Sequence, residues 1–476
     1  MHRRKFLART GQLGTLAVGL SSGLSASRIF GQQQGKSPQP ASGPLRVSPR
    51  NPRYFCDASG RAVLLVGSHT WNNLVDMGRS DPPEAFDFDA YLNFLDRYGH
   101  NFIRLWAWDS TTWDTRANGQ LGKDFIHHVA PLPWARTGPA DALDGKPKFD
   151  LQQFNPAYLE RLRARVNAAG RRGIYVSVML FEGWGLMHGN RRRGTKDEWA
   201  WRSHPFHPDN NISGIDAAGK VHSRANPAVS AIQAAYIRKV VDTVNDLDNV
   251  LYEVINEGGE KEWDWWVVET VRQYERTKAK QHPIGITGHG AERLGSMLAS
   301  PADWISPGRN DGFGDDPPAW DGKKVSLLDT DHVWGVGGNA AWIWKSLVRG
   351  HNPLFMDPYD GSVLGNRFDP QWEPIRHNLG YALRLARRLD LAQMTPHDKL
   401  ASTTYCLADP SNSYVVYIPT GGKATVALRG TTARFAVEWF NPSAGKTIAG
   451  QPVAGGADRE FTAPFSSDAV LYLSRS

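Results

Sequence analysis

The sequence predicts an α/β protein in which a (β/α)₈ barrel is followed by a small antiparallel β-sandwich. Short β-rich apolar runs recur between residues 62 and 356, and amphipathic helical patterns separate most of them. Strands that alternate with helices predict right-handed βαβ units and a parallel sheet. From residue 401 onward the runs are short, are divided by Gly, Pro, Asn and Ser turns, and show no helical period, which is typical of an antiparallel sandwich.

Each barrel element can be placed along the chain. The expected strands are residues 62–67, 101–106, 174–180, 250–255, 284–287, 304–307, 325–328 and 353–356, and the expected helices are 86–98, 156–169, 228–247, 263–277, 291–298, 340–348 and 372–389. Eight strands over this length fit a closed barrel better than an open sheet. The long connections 110–154 and 185–226 are expected to wall the functional site. We place the barrel at residues 44–396 and the sandwich at 397–476.

Composition excludes several classes of protein. The 476 residues are 41% hydrophobic and 22% charged, which is ordinary for a globular chain. Two cysteines exclude a disulfide scaffold, and no apolar run is long enough to span a membrane once a signal is removed. The net charge of +7 includes four cations in the first 26 residues, and charges of both signs mix elsewhere, so no nucleic-acid partner is indicated. The 18 tryptophans outnumber the 14 tyrosines, and sugar-binding clefts use indole rings in numbers.

The first segment predicts export. His2-Arg3-Arg4-Lys5-Phe6-Leu7 matches the twin-arginine pattern, and a Gly-, Ser- and Thr-containing apolar stretch follows it up to Ala26. Residues 27–43 have the composition of a linker. We therefore expect residues 1–43 to be a twin-arginine signal with its linker and the mature protein to be periplasmic or extracellular.

Polar and aromatic side chains stand where the predicted strands end. In a parallel barrel, catalytic and binding groups cluster there because the loops that follow the strands form one rim. The set combines hydrogen-bonding groups with flat rings that suit a polyhydroxyl ligand. The predicted binding residues are His69, Trp71, Arg104, Trp106, Trp184, Asn256, His289, Asp329, Trp334 and Tyr359.

Carboxylates on opposed strands are predicted to carry the chemistry. Glu257 follows an apolar strand, where a buried carboxylate is costly unless it has a role; the alternative is a first-turn acid of the next helix. Glu253 lies deeper on the same strand face. Asp329 and Asp331 share one strand face by period two, and Asp331 is the nearer to the mouth. Such a pair can act as the acid and the nucleophile of glycoside hydrolysis.

Several motifs carry a family resemblance across nearly all of the mature chain. They are Asn51-Pro52-Arg53-Tyr54-Phe55, Gly67-Ser68-His69-Thr70-Trp71-Asn72-Asn73, Asn101-Phe102-Ile103-Arg104, Tyr252-Glu253-Val254-Ile255-Asn256-Glu257, Phe355-Met356-Asp357-Pro358-Tyr359-Asp360, Val416-Tyr417 and Trp439-Phe440-Asn441-Pro442. In these motifs the sequence resembles clan A glycoside hydrolases and, more narrowly, apiosidase-like glycoside hydrolases with a C-terminal collagen-binding-type domain. The resemblance implies an acid/base Glu257 after Asn256. Relatives mostly have Glu at the nucleophile position, where this sequence has Asp331.

We therefore expect a retaining glycoside hydrolase that acts on a plant or microbial oligo- or polysaccharide, with Glu257 as acid/base and Asp331 as nucleophile. No cofactor or metal is expected, since the chain has no His-Glu-x-x-His zinc motif; nor does a Gly-x-Ser-x-Gly stand at a predicted strand-to-helix turn, where a serine hydrolase would need it. The alternative interpretation is a non-catalytic carbohydrate-binding protein on a barrel that has lost its nucleophile. The sugar, endo or exo action and the oligomeric state are left open.

Overall fold

Eight parallel strands form the central barrel of the computed structural model, which describes residues 39–114, 126–188, 199–288, 293–360, 364–365 and 367–476. They are β1 (Gly67–His69), β2 (Phe102–Leu105), β3 (Tyr175–Glu182), β4 (Val250–Asn256), β5 (Ile284–Thr287), β6 (Trp304–Ser306), β7 (Val325–Asp329) and β8 (Asn352–Met356). Successive strands pair in parallel from β2 to β8, and β8 pairs with β1. The predicted fold class is confirmed.

A side chain completes the barrel between β1 and β2. Asn101 Oδ1 accepts a hydrogen bond from the backbone N–H of Val66 at 3.0 Å, and its Nδ2 donates to the Leu64 carbonyl at 2.9 Å. The backbone N–H of Asn101 also donates to the Val66 carbonyl at 3.0 Å. The amide group thus supplies bonds that a longer strand ladder would otherwise make.

Helices pack around the barrel, and local sequence signals mark the first residues of two of them. Asn155 and Asn226 accept backbone hydrogen bonds as N-caps, each followed by proline at the first helical position, where proline is favoured. The helices are α1 (Phe88–Tyr98), α2 (Pro156–Arg171), α3 (Trp184–His188), α4 (Trp199–Arg202), α5 (Pro227–Val244), α6 (Lys261–Glu275), α7 (Arg293–Ala299), α8 (Thr330–Val333), α9 (Ala340–Val348) and α10 (Glu373–Ala386). Short 3₁₀ turns lie at Pro208–Asn210, Arg309–Asp311, Pro358–Asp360, Pro370–Trp372 and Asp398–Leu400.

The first predicted strand, residues 62–67, is divided in the structure. Ala62–Val63 belongs to a small antiparallel sheet with Arg46–Val47 and Phe55–Cys56, and β1 begins only at Gly67. A Cβ at Gly67 would lie 1.9 Å from the Phe102 carbonyl oxygen, so only glycine allows β1 to approach β2 here. Phe55 packs in one cluster with the first residues of several barrel strands, so the small sheet covers the amino end of the barrel.

The connection predicted as a long loop at 110–154 contains strands. Thr112–Asp114 and Ile126–Ala130 form a three-stranded sheet with Asp76–Gly78, and Trp134–Asp141 pairs with Pro147–Phe154. The second connection, 185–226, holds α3, α4 and one 3₁₀ turn among its described residues.

The C-terminal region is an antiparallel sandwich that packs on the barrel. Its strands are β9 (Thr395–Pro396), β10 (Cys406–Asp409), β11 (Ser413–Ile418), β12 (Lys423–Ala427), β13 (Arg434–Asn441), β14 (Lys446–Ala454), β15 (Asp458–Thr462) and β16 (Ala469–Arg475). Six of them form one sheet, and β12 pairs with β15. The predicted domain boundary lies after residue 396, directly C-terminal to β9. Because β9 pairs with β10, that boundary separates β9 from the sheet to which it belongs.

Phe440 carries much of the contact between the two parts. Its ring lies 5.6 Å from Trp344 and 5.2 Å from Tyr381, both on barrel helices. The side chain of Arg388 pairs with Glu438 at 2.6 Å across the same junction. Cys56 and Cys406 are both buried free thiols. Among the residues that the structure describes, no helix has the length and apolar character needed to span a bilayer.

Candidate active site

Arg104 organises the carboxyl end of the barrel. Its side chain rises from β2, is 2% exposed, and pairs with Glu253 through Nε at 3.0 Å and Nη2 at 2.5 Å. Nη1 donates to Asp329 at 3.0 Å and to Asp331 at 2.9 Å, and Nη2 donates to Asn256 Oδ1 at 2.6 Å. Burial lowers the pKa of Arg104, but the surrounding carboxylates outweigh burial and raise it. One buried cation therefore holds three acids.

His69 and Trp106 support Asp329 from below. The Trp106 indole N–H donates to His69 Nδ1 at 2.8 Å, and His69 Nε2 lies 2.8 Å from Asp329 Oδ2. Because an indole nitrogen can only donate, His69 Nδ1 must accept and Nε2 must carry the proton given to Asp329. Burial acts to raise the pKa of Asp329, but His69 and Arg104 hold it below its usual range.

Asp331 does not share a strand face with Asp329, which corrects the period-two argument. β7 ends at Asp329, which caps α8, and its Oδ1 accepts the Asp331 backbone N–H at 3.0 Å. Asp331 lies in the first turn of α8, and the helical turn brings its carboxylate to the same Arg104 nitrogen. Burial raises the pKa of Asp331 to about 8; Arg104 opposes this shift, and the negative charges of Asp329 and Glu257 add to it.

Glu257 sits in a strained turn directly after β4. Its φ of 52° lies in the left-handed region, which is uncommon for a residue with a side chain. The residue is 7% exposed. Its neighbour Asn256 uses Oδ1 to accept from Arg104 and from His332 Nε2 at 3.2 Å, while its buried Nδ2 has no hydrogen-bond partner among the described residues. That amide N–H is a donor suited to a ligand hydroxyl.

Glu257 and Asp331 line one cavity of about 540 Å³ at the barrel mouth. The predicted residues Trp71, Trp184 and Trp334 also line it. The Trp71 ring is held by four other indoles, with centroids 4.7–5.7 Å away, so this wall is rigid. The cavity therefore combines two carboxylates with aromatic walls.

The other predicted residues lie elsewhere. His69, Arg104, Trp106, Asn256 and Asp329 form the layer beneath the cavity, as the contacts above describe. Tyr359 lies apart from the cavity that Glu257 and Asp331 line. It packs 4.7 Å from Phe94 and 5.1 Å from Tyr91 beside a separate cavity of about 1050 Å³. His289 lies outside the described residues.

Two residues in the site escaped the sequence-based selection. His332 bridges Asn256 and Asp331, with Nε2 3.6 Å from Asp331 Oδ2 and Nδ1 2.8 Å from Ser306 Oγ. His332 stands among the polar residues at the end of strand seven, but it was not among the predicted binding residues. Glu182 ends β3 in full burial; burial raises its pKa well above its usual range, and the charges of Asp109 and Glu257 add to this shift. The sequence signal for Glu182 was its position at the carboxyl end of the third strand, which pairs with the fourth strand that ends at Asn256.

Comparison with known proteins agrees with both parts of the fold. Residues 393–474 match the family model described as "Putative collagen-binding domain of a collagenase". No curated protein matches the sequence.

Three solved structures are similar over most of the chain. One titled "Glycoside hydrolase" is 13% identical, covers 93% of this chain and 99% of its own, and has a TM-score of 0.56. A family 5 glycoside hydrolase from Bacteroides vulgatus ATCC 8482 is 12% identical, with 92% and 95% covered and a TM-score of 0.57. A "putative glycoside hydrolase" from the same organism is 13% identical, with 93% and 83% covered and a TM-score of 0.61.

At these identities the likeness concerns the fold. It confirms the broad resemblance stated from the sequence, while the narrower apiosidase-like assignment stays a prediction. The chain thus has the barrel architecture of structurally known glycoside hydrolases, joined to a C-terminal domain of the collagen-binding type.

Proposed function

We propose that the protein is a retaining glycoside hydrolase that cleaves O-glycosidic bonds of a plant or microbial oligo- or polysaccharide. The observation that carries this proposal is the shared cavity, in which Glu257 and Asp331 meet between aromatic walls. Paired carboxylates flanking a bond are the machinery of glycoside hydrolysis. Aromatic faces suit the apolar faces of sugar rings.

The roles follow from what holds each carboxylate. Arg104 contacts Asp331 at 2.9 Å and favours the ionised form that a nucleophile needs; because burial still raises the pKa of Asp331 to about 8, the ionised fraction grows as pH rises toward that value. Asp329 is buried beneath the cavity with His69 and Arg104, and it positions the arginine. Glu257 is the acid/base. The donor of Asn256 is available for a sugar hydroxyl beside the scissile bond.

The reaction proceeds in two displacements. An Asp331 oxygen attacks the anomeric carbon while Glu257 gives its proton to the glycosidic oxygen; the carbon–oxygen bond breaks and a glycosyl ester of Asp331 forms. Glu257, now a carboxylate, then takes a proton from water. The water oxygen displaces Asp331, which releases the sugar and restores both carboxyl groups.

Export through the twin-arginine route to the periplasm or the outside of the cell belongs to this proposal. It rests on Arg3, Arg4 and the apolar stretch after them, in a segment outside the described residues. A polysaccharide-degrading enzyme would meet its substrate there.

Glu257→Gln tests the chemistry. A panel of aryl glycosides and polysaccharides first identifies the substrate by sugar release. We expect Glu257→Gln to lower turnover of substrates with poor leaving groups by about 10² to 10⁴-fold, because general acid–base help has this size, and to leave the fold intact. The first anomer seen by NMR should retain configuration, and azide should rescue Asp331→Gly.

The outcomes separate the alternatives. A protein that binds sugars but releases none from the whole panel would be the non-catalytic carbohydrate-binding protein. Full activity of Glu257→Gln, or an inverted first anomer, would contradict the assigned roles.

A further inference from the structure

The turn that carries Glu257 needs an external hold. Glu257, Gly258 and Gly259 have φ values of 52°, 83° and 75°, three left-handed residues in succession. A left-handed residue with a side chain costs roughly 1–2 kcal/mol, so this turn persists only if its surroundings impose it. The direction of the Glu257 carboxyl depends on this backbone.

One side of the turn is held by β3. The Gly183 backbone N–H donates to the Asn256 carbonyl at 2.9 Å. A Cβ at Gly183 would lie 2.1 Å from the Glu257 carbonyl oxygen, so the two backbones are in direct contact. This contact blocks movement of the turn toward β3 only.

The other side is held by a pair of charged residues. Arg293, at the start of α7, donates from Nη2 to the Gly258 carbonyl at 3.2 Å, and the same nitrogen pairs closely with Asp264 Oδ2. Asp264, on α6, is 2% exposed. A Cβ at Gly259 would lie 2.2 Å from Asp264 Oδ1, so this carboxylate is directly against the turn.

A salt bridge that only joined two helices would need neither a buried Asp264 nor the bond from Arg293 to the Gly258 carbonyl. Burial raises the pKa of Asp264 to about 6, and Arg293 opposes that shift, so placing an acid here has a cost. In this pair, one guanidinium N–H of Arg293 also donates to the Gly258 carbonyl, next to Glu257. Neither residue lines the catalytic cavity, so any effect must pass through the backbone.

We infer that Arg293 and Asp264 are positioning residues that clamp the Gly258 carbonyl and thereby aim the Glu257 carboxyl at the leaving-group oxygen. This inference rests on the proposed function, because it assigns a support to the proposed acid. It predicts a defect confined to substrates that need protonation.

The test compares leaving groups. For the sugar identified by the panel, Arg293→Met should lower kcat for the methyl glycoside about 10- to 100-fold with KM changed less than about threefold, by analogy with the cost of misplaced catalytic groups. The 2,4-dinitrophenyl glycoside, whose leaving group departs without a proton, should lose less than about threefold in its glycosylation step. Arg293→Lys should recover part of the methyl-glycoside activity, since it restores a cation and a donor.

Arg272→Met is the matched control. Arg272 lies on α6 and pairs with Asp303 at 2.6 Å, without contact to the Glu257 turn. Arg272→Met should lower the urea midpoint about as much as Arg293→Met does, but it should leave the turnover of both glycosides unchanged. Equal losses on both glycosides in Arg293→Met, or no loss at all, would overturn the clamp. If Glu257→Gln itself shows no leaving-group dependence, the proposed acid fails instead, so the two failures are distinguishable.

Discussion

Two buried arginines, Arg104 and Arg376, each pair with one carboxylate through two nitrogens but differ in the contacts of the third nitrogen. Each has a side chain 2% exposed and grips one carboxylate with two nitrogens: Arg104 holds Glu253, and Arg376 holds Asp357 at 2.8 and 2.6 Å. The remaining nitrogen of Arg376 donates to the Arg367 carbonyl at 2.9 Å and to Glu373 at 3.2 Å. That of Arg104 donates to two further buried acids.

The difference lies in the balance of charge. Burial raises the pKa of Asp357 above its usual value, and its neighbours, Arg376 foremost, oppose that shift only in part. At Asp331 burial is joined by two negative neighbours, and Arg104 opposes them. A buried arginine with matched acids is a structural pair, whereas one with surplus acids leaves a reactive carboxyl facing a cavity.

The largest expected effect comes from replacing one acid beside each arginine, Asp331 beside Arg104 and Asp357 beside Arg376. Asp331→Asn should lower turnover by about 10³-fold or more, because the proposed nucleophile is lost, and should leave the urea midpoint at neutral pH unchanged or higher. Asp357→Asn should instead lower the free energy of unfolding by about 3–5 kcal/mol, since Arg376 would keep its buried charge without a matching acid. Activity per folded molecule should change little.

Urea denaturation and initial rates, both corrected for the folded fraction, measure the two effects. Similar losses of stability in the two variants would mean that the two arginines play one role.

A smaller effect should appear in the pH dependence of stability. The folded-state pKa of Asp331, about 8, exceeds the value of about 3.9 expected in the unfolded chain. Between these values the folded protein binds a proton that the unfolded chain does not, so this group's contribution to stability falls as pH rises from about 4 to about 8. Asp331→Asn cannot ionise, and its stability relative to the parent should therefore rise over the same interval.

Urea midpoints at pH 5 and pH 8 check this sign. A constant difference between parent and variant would show that Asp331 is already ionised at pH 5. Asp357→Asn serves as the comparison: burial also raises the pKa of Asp357 while Arg376 opposes that shift, so its stability relative to the parent should change with the same sign.

The smallest effect concerns a third arginine pair. Arg388 and Glu438 join barrel and sandwich at 2.6 Å, with side chains 28% and 12% exposed. Water screens such a pair, so Glu438→Gln should cost about 1 kcal/mol or less in the free energy of unfolding. A loss as large as that of Asp357→Asn would mean that the junction is as dependent on charge as the barrel interior.

The sequence by itself was sufficient for the order of elements. Apolar runs near 284–287 and 325–328 coincide with β5 and β7 because a buried parallel strand must be apolar on both faces. Helix starts were readable where asparagine precedes proline. The pattern does not predict β14, because Lys446–Ala454 is an exposed edge strand with little apolar alternation.

At the site, the sequence was sufficient to bring Glu257, Asp331 and three tryptophans to one rim, since parallel strands end on one side. It could not show that Asp329 caps a helical turn that carries Asp331, because this arrangement depends on contacts with Arg104 from a distant strand. Nor could it separate Tyr359 from the catalytic cavity or reveal the Arg293 hold on Gly258. Those arrangements depend on long-range packing and on the sum of buried charges, which only the tertiary structure brings together.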